Sequence, residues 1–392
     1  MKIEQLSKAL DEIRREGLYR SVSDLAMKTA SCGVDRNGKE YIVFSSNDYL
    51  GMTHEAPVIE AARKALSWGT GSGGARLTSG ATFQASDLEK ALARFKGKEA
   101  ALVFNTGYMA NVGILYGLAG KGDIIFSDAL NHASIIDGCR ISAAKTVVYR
   151  HSDMEDLARL LQETPCTGQR FIVTDGVFSM DGDICPLPAL CKLKKKYDAC
   201  LIVDDAHATG VIGETGRGTA EYFHMPQAVD IQAGTLSKAL GAEGGFAAAS
   251  ENIVNWLRNR SRPFIFSTAL PASVMAAAGA ALRLLETEGD TYLGRLRHNT
   301  DTMRRLLREG GIPVIAGDTP VIPIIMNDPE GTVAFAGALR EEGILVSAIR
   351  PPTVPEGTSR LRLTVTAAHK EEEIHRAAAA IIRLWQRGQY HG

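Results

Sequence analysis

Seven short apolar runs constrain this chain most: Ala101–Phe104, Asp123–Phe126, Thr146–Tyr149, Phe171–Thr174, Leu201–Val203, Ile231–Ala233 and Gly245–Ala248. Helical patterns such as Met154–Glu163 and Leu187–Tyr197 lie between several of them. This alternation predicts a largely parallel sheet covered on both faces. After about Thr287 the texture changes. A helix over Tyr292–Glu309 leads to an extended piece over Pro313–Met326, a helix over Thr332–Glu342, and runs at Ile344–Ala348 and Arg360–Thr366. An amphipathic helix from Lys370 to about Arg387 ends the pattern, and the Pro-rich piece Arg350–Pro355 reads as a loop. The expected organisation is an N-terminal helix and arm over residues 1–45, a large α/β domain over 46–287 and a smaller α+β domain over 288–392. A chain of 392 residues can bury two such cores.

Charge and cysteines exclude several classes. Lys and Arg number 44 against 45 Asp and Glu, so net charge gives no basic face for nucleic acid. The alanine-rich stretch Ala269–Leu285 is interrupted by Pro271, Gly279 and Arg283, too broken for the roughly 20 apolar residues of a membrane span. Met1–Arg20 alternates charge with Ile3, Leu6, Leu10 and Ile13, the pattern of an amphipathic helix and not of an apolar leader. None of the six cysteines forms a CxxC pair, so they read as reduced thiols of a cytoplasmic protein, and no metal site is expected.

In open α/β sheets, ligands bind beyond the carboxyl ends of the strands. Four segments that follow predicted strands carry chemistry: Asn105–Tyr108, Asp175–Ser179, Asp204–His207 and Gly234–Lys238. Together they supply a helix N-terminus, a hydroxyl, a carboxylate, an imidazole and a lysine. That inventory suits pyridoxal phosphate. A lysine amine can form a Schiff base with its aldehyde, a carboxylate can keep its pyridine nitrogen protonated, and a Gly at a helix N-terminus admits its phosphate. Spacing alone leaves the plainer alternatives open: a surface lysine, and helix capping by Asp204-Asp205-Ala206-His207.

Rival motifs fare worse. Gly69–Gly74 fits GxGxxG but follows a helical pattern (Ala56–Trp68) instead of a strand, so it reads as a Gly-rich loop and not a dinucleotide site. There is no GxSxG elbow and no HExxH. Asp181-Gly182-Asp183 reads as a turn.

Several motifs in linked order resemble the α-oxoamine synthases: Ser45–Gly51 (SSNDYLG), Gly71–Gly80 (GSGGARLTSG), Asn131–Ser134 (NHAS), Asp175–Gly182 (DGVFSMDG), Val203–His207 (VDDAH) and Gly234–Gly241 (GTLSKALG). The resemblance implies a pyridoxal-phosphate transferase of fold type I, aspartate-aminotransferase-like. Ala348–His369 is closest to the branch that condenses L-alanine with a pimeloyl thioester, on coenzyme A or acyl carrier protein, to make 8-amino-7-oxononanoate for biotin. Asn131–Arg140 is also similar to the branch that joins glycine to acetyl-CoA. A binding protein without catalysis on the same fold is the alternative of another class, and intact Lys238, Asp204 and His132 speak against it.

The resemblance implies roles residue by residue. Lys238 is the Schiff-base lysine, Asp204 the partner of the pyridine nitrogen, His207 the partner of the phenolic oxygen and His132 the ring-stacking histidine. Gly107 and Tyr108 take phosphate-loop positions, and Ser179 and Thr235 make further cofactor contacts. Arg362 holds the amino-acid carboxylate with Asn47 beside it, while Arg20 and Thr353 bind substrate. Ser267 and Thr268 reach the phosphate of a neighbouring subunit in a homodimer with shared sites.

Overall fold

The computed structural model describes residues 2–20 and 22–388. It divides into two compact units. One runs through Ser46, takes in Met180–Gly182 and resumes at Leu296; the other comprises Asn47–Ser179 and Asp183–Arg295. The N-terminal arm therefore groups with the C-terminal part of the chain, and the division falls at 295/296.

The larger unit is built on a seven-stranded sheet. Its strands are β1 (Ala100–Phe104), β2 (Ile124–Asp128), β3 (Lys145–Tyr149), β4 (Arg170–Asp175), β5 (Ala199–Asp204), β6 (Ile231–Thr235) and β7 (Gly245–Ala249). The order across the sheet is β1-β7-β6-β5-β4-β2-β3. Every predicted run is a strand of it. Apart from the edge strand β3, most of which is exposed, the runs are apolar because both faces are covered. Ile124, Phe126, Ile172, Leu201 and Val203 pack into one core, and Ile125, Phe171, Val173 and Ile202 into the other. Successive side chains on a strand point to opposite faces, which is why neighbours in sequence separate in this way.

One strand departs from the parallel pattern. β7 is antiparallel to both β6 and β1. Only Leu236–Gly244 connects β6 to β7, which is too short for a parallel crossover of about a dozen residues. The expected helix over Tyr292–Glu309 is the second half of one continuous helix, Ala272–Glu309. Buried Ala277, Ala278, Ala281, Leu282 and Leu285 line its first half. Packing carries it past Gly279, Gly289 and Gly294, since tertiary context overrides propensity.

The smaller unit holds two sheets. In the first, Ala26–Met27, Cys32–Val34 and Glu40–Val43 pair antiparallel, and Ile344–Leu345 adds in parallel beside Glu40–Val43. In the second, Ser359–Thr364 lies between Val321–Asn327 and Ser347–Ile349, all antiparallel. Its core includes Ile42, Phe44, Met303, Ile322, Leu361, Leu363 and Ile381. The N-terminal helix is shorter than expected, Leu6–Arg15 after a short 3-10 turn, and none of its residues is buried. Gly17 at φ +67° ends that segment, because a left-handed backbone terminates a helix.

Among the described residues, no helix is long and apolar enough to cross a membrane, and no cluster of His, Cys, Asp and Glu could hold a metal. All six cysteines are free; Cys139 and Cys185 are buried and the rest partly so. Burial pushes the Cys139 thiol up to about 11, well out of the reactive range.

Candidate active site

The carboxyl ends of the parallel strands meet in register. Asp175 at the end of β4 pairs with Asp204 at the end of β5, and Asp204 lies opposite Ala233 of β6. The loops that follow line a cavity of about 200 Å³. Gly107, Tyr108, His132, Ser179, Asp204, His207, Thr235 and Lys238 all lie on its wall, with Thr106, Asn111, Ser134, Asp175 and Ser237. The structure thus brings together the eight residues read as cofactor contacts.

Each is placed by local geometry. Gly107 is the first residue of the helix Gly107–Leu118, whose N-cap Thr106 accepts the Met109 N–H through its hydroxyl. A Cβ on Gly107 would stand 3.1 Å from Thr235 Cβ, and one on Gly245 would stand 2.4 Å from Thr106 O. Only glycine lets β7 and this turn approach so closely. Thr235 is fixed by its hydroxyl, which donates to Gly244 O at 2.8 Å and accepts the Ser237 N–H at 3.2 Å. Tyr108, largely exposed, donates to Asp137.

Asp204 is buried. Its Oδ2 accepts from Asn111 Nδ2 at 2.6 Å and its Oδ1 from Ala206 N at 2.9 Å. These two donors fix the orientation of the carboxylate inside the protein. Asn111 Nδ2 also donates to Ser134 Oγ at 2.9 Å, and Ser134 Oγ lies 2.7 Å from His132 Nδ1. The Ser134 N–H points at the same nitrogen at 3.3 Å. Nδ1 is therefore an acceptor, and the proton of the neutral ring sits on Nε2. Burial lowers the pKa of His132; Lys238 adds to this, and Asp204 opposes it. Beneath, the His132 N–H donates to Asp175 Oδ2 at 2.8 Å. Burial, with Asp204 beside it, pushes the Asp175 carboxyl well above the usual carboxylate range. His207 Nδ1 meets the Tyr49 hydroxyl at 2.6 Å.

The wall fits pyridoxal phosphate. A buried carboxylate, a lysine, an imidazole and a helix-opening glycine cradle that a Cβ would fill are the donor set this cofactor calls for.

The remaining candidates lie elsewhere. Asn47 opens the larger unit but is not on the cavity wall. Ser267 is partly buried and Thr268 exposed; Asn105 Nδ2 donates to Thr268 O at 2.6 Å. Arg20, Thr353 and Arg362 belong to the smaller unit. There Arg20 Nη2 donates to Thr353 Oγ1 at 3.0 Å, and Arg350 Nη2 to Tyr19 O at 2.9 Å. Arg362 is only 5 % exposed and sits on the central strand of its sheet, so it is no surface arginine on an edge strand.

Sequence reasoning missed Asn111, Ser134 and Tyr49. Ser134 stands inside a motif that was read for His132, and Tyr49 inside one read for Asn47. Asn111, one turn into an apolar helix, carries no local signal at all. The buried pair behind the site was missed too: Lys96 Nζ lies 2.7 Å from Asp205 Oδ2, and both side chains are essentially inaccessible.

Known proteins resemble this chain over nearly its whole length. The family model for aminotransferase class I and II matches residues 39–381. An 8-amino-7-oxononanoate synthase of Geobacter sulfurreducens is 50 % identical over 96 % of this chain and 96 % of its own. One of Trichlorobacter lovleyi is 47 % identical over 98 % of each. Among solved structures, a serine palmitoyltransferase from S. paucimobilis with bound PLP superposes with a TM-score of 0.92 at 33 % identity, covering 98 % of this chain and 97 % of that one. An 8-amino-7-oxononanoate synthase from Francisella tularensis gives 0.75 at 30 %, covering 89 % and 98 %. The chain belongs to the class I and II aminotransferase family and, within it, to the α-oxoamine synthases. Its fold is that of the fold type I pyridoxal-phosphate transferases.

Proposed function

We propose that the chain is a pyridoxal-phosphate-dependent acyltransferase of biotin synthesis. It condenses L-alanine with a pimeloyl thioester, of coenzyme A or acyl carrier protein, to give 8-amino-7-oxononanoate, carbon dioxide and the carrier thiol. The observation that carries this reading is the 50 % identity, over 96 % of both chains, to a synthase of that name. We place the enzyme in the cytoplasm as a homodimer with shared sites.

When bound, pyridoxal phosphate supplies an electron sink for the charge left on the alanine α-carbon. Lys238 would hold the cofactor's aldehyde, and its amine would take the proton from the alanine α-carbon. Asp204, held in place by Asn111 and the Ala206 N–H, would face the pyridine nitrogen and keep it protonated. His207 bonds the phenolic oxygen. The turn at Gly107 and Tyr108 takes the phosphate on its backbone, with Ser179 and Thr235 as further contacts. In the dimer, Ser267 and Thr268 reach the phosphate bound by the neighbouring subunit. Arg362 grips the alanine carboxylate in a planar two-pronged pair, with Asn47 beside it, and so orients the bond to be broken. His132 would lie against the cofactor ring, and its Nε2–H is available to the thioester oxygen as negative charge develops there. Arg20 and Thr353 bind the acyl substrate.

The test is thiol release by cofactor-loaded protein with L-alanine plus pimeloyl-CoA, against glycine plus acetyl-CoA. Faster release with the first pair is expected. Faster release with the second would move the enzyme to glycine chemistry and leave Lys238 and the cofactor in place. Release only with the pimeloyl carrier protein would fix the carrier.

A further inference from the structure

His151 belongs to no motif, yet both of its ring nitrogens face carboxylates. Nδ1 lies 2.9 Å from Asp128 Oδ1 and Nε2 lies 3.0 Å from Asp183 Oδ2. An ionised carboxylate only accepts, so both nitrogens carry protons and the ring is an imidazolium. Neither acid lines the cavity itself, but each belongs to a segment that carries a residue of its wall, His132 in one case and Ser179 in the other. Asp128 ends β2, is buried, and also accepts the N–H groups of Leu130 at 2.9 Å and Ser152 at 2.9 Å. It thus shapes the turn that delivers Asn131 and His132. Asp183 is on the return arm of the hairpin that carries Ser179. There Val177 bridges Ile184, and the Phe178 N–H donates to Asp183 O at 2.9 Å. The His151 ring also meets Phe178 edge-on, with centroids 4.5 Å apart at 83°. The side chain is about one quarter exposed, so the pair of bonds is shielded from much of the solvent.

We infer that His151 is a positioning residue for the cofactor site: an imidazolium strut that ties the His132 turn to the Ser179 hairpin and sets the width of the cavity between them. Neither loop is fixed to the other by a sheet ladder at that point, because β2 and β4 pair only as far as Ser127 and Val173. Past that point the Asn131 side chain bonds Val173 O and the Asp175 N–H, each at 2.9 Å, and the strut adds two charge-assisted hydrogen bonds that reach the Ser179 hairpin. This rests on the reading that His132 and Ser179 hold the cofactor.

The experiment compares His151→Phe and Asp183→Ala with the parent. His151→Phe keeps a ring against Phe178 and removes both bonds. Asp183→Ala removes only the bond on the Ser179 side, at a side chain that is itself partly exposed. The readouts are the pyridoxal-phosphate dissociation constant, the visible circular dichroism of the bound cofactor and the melting temperature of the apoprotein. The expected result is a dissociation constant raised about tenfold in His151→Phe, the weight of one charge-assisted bond, and raised less in Asp183→Ala. Both should show an altered dichroic band, with the Asp183→Ala apoprotein melting as the parent does. If His151→Phe does not fold, Asp183→Ala decides alone. Equal affinity and an unchanged band in the folded variants would overturn the strut. A parent protein that takes up no pyridoxal phosphate would instead overturn the site reading on which it stands.

Discussion

The Asn111 side chain donates one N–H to Asp204 Oδ2 at 2.6 Å and the other to Ser134 Oγ at 2.9 Å. One amide thereby serves both the carboxylate of the pocket floor and, through Ser134, the imidazole of His132. Asn111→Leu removes both bonds at once. It should cost about 1–3 kcal/mol, because a buried acceptor loses its donor. Urea unfolding of the apoprotein reads that loss directly, and turnover should fall with it as Asp204 and the His132 tautomer lose their support. Unchanged stability and turnover would show that Asn111 is spectator packing.

Lys238→Ala should abolish the visible band that borohydride bleaches in the loaded parent protein, and with it thiol release. The variant should still bind the cofactor, since Asp204, His207 and the Gly107 turn remain. Spectra before and after borohydride, with mass analysis of the reduced protein, provide the check. A cofactor still fixed to the chain by borohydride would place the anchoring lysine elsewhere.

Arg362→Lys keeps the charge and removes the planar fork. The KM for L-alanine should rise about tenfold or more, as expected when a bidentate carboxylate pair becomes a point contact. Cofactor affinity should stay as it is. Steady-state kinetics with the thioester saturating separates the two, and an unchanged KM would remove Arg362 from the alanine subsite.

Lys96 and Asp205 form a buried ion pair, with Lys96 Nζ also donating to Thr209 Oγ1 at 3.2 Å and Arg217 O at 2.5 Å. Lys96→Met strands Asp205 without its counter-charge. The expected loss is about 3–5 kcal/mol. Lys96→Met combined with Asp205→Asn should recover part of it. Denaturant midpoints of the single and double variants measure the difference, and a single variant as stable as the parent would contradict the ion-pair account.

His369 should make the smaller unit sensitive to acid. Its Nδ1 accepts the Thr366 N–H at 3.0 Å and its Nε2 donates to Val43 O at 3.2 Å, so the ring is neutral with the proton on Nε2. It stacks on Phe44 with centroids 4.1 Å apart. Burial holds its pKa down at about 4, while the unfolded chain takes up the proton near 6.5. The unfolded state therefore binds more protons between pH 6.5 and 4, and stability falls as pH drops through that window. The loss amounts to about 3 kcal/mol once pH is below 4. Unfolding free energies measured from pH 7 to 4 should show this slope in the parent and a flatter one in His369→Gln. Parallel slopes would assign the acid sensitivity to other groups.

The local pattern of this chain was enough to place the seven strands of the large sheet, the helices Met154–Glu163 and Leu187–Tyr197, and the chemistry-bearing segments that follow strand ends, while the resemblance to the α-oxoamine synthases supplied the eight residues that gather on the cavity wall. Strand periodicity reports burial on both faces, and residues that follow strand ends in a parallel sheet converge wherever the strands are ordered side by side. Motifs such as Val203–His207 carry their own local geometry, so they can be read without the rest of the molecule. Pairings between distant segments cannot be read in that way. The antiparallel insertion of Gly245–Ala249, the unbroken helix Ala272–Glu309, the central burial of Arg362, and the attachment of the N-terminal arm to the C-terminal sheet all depend on which surfaces meet. So do Asn111 beneath Asp204, Lys96 against Asp205 and His151 between Asp128 and Asp183. In each case a polar side chain with no local signal finds its partner far along the chain. Burial then makes that partner obligatory, because an unpaired polar group inside the protein costs more than the chain can spare.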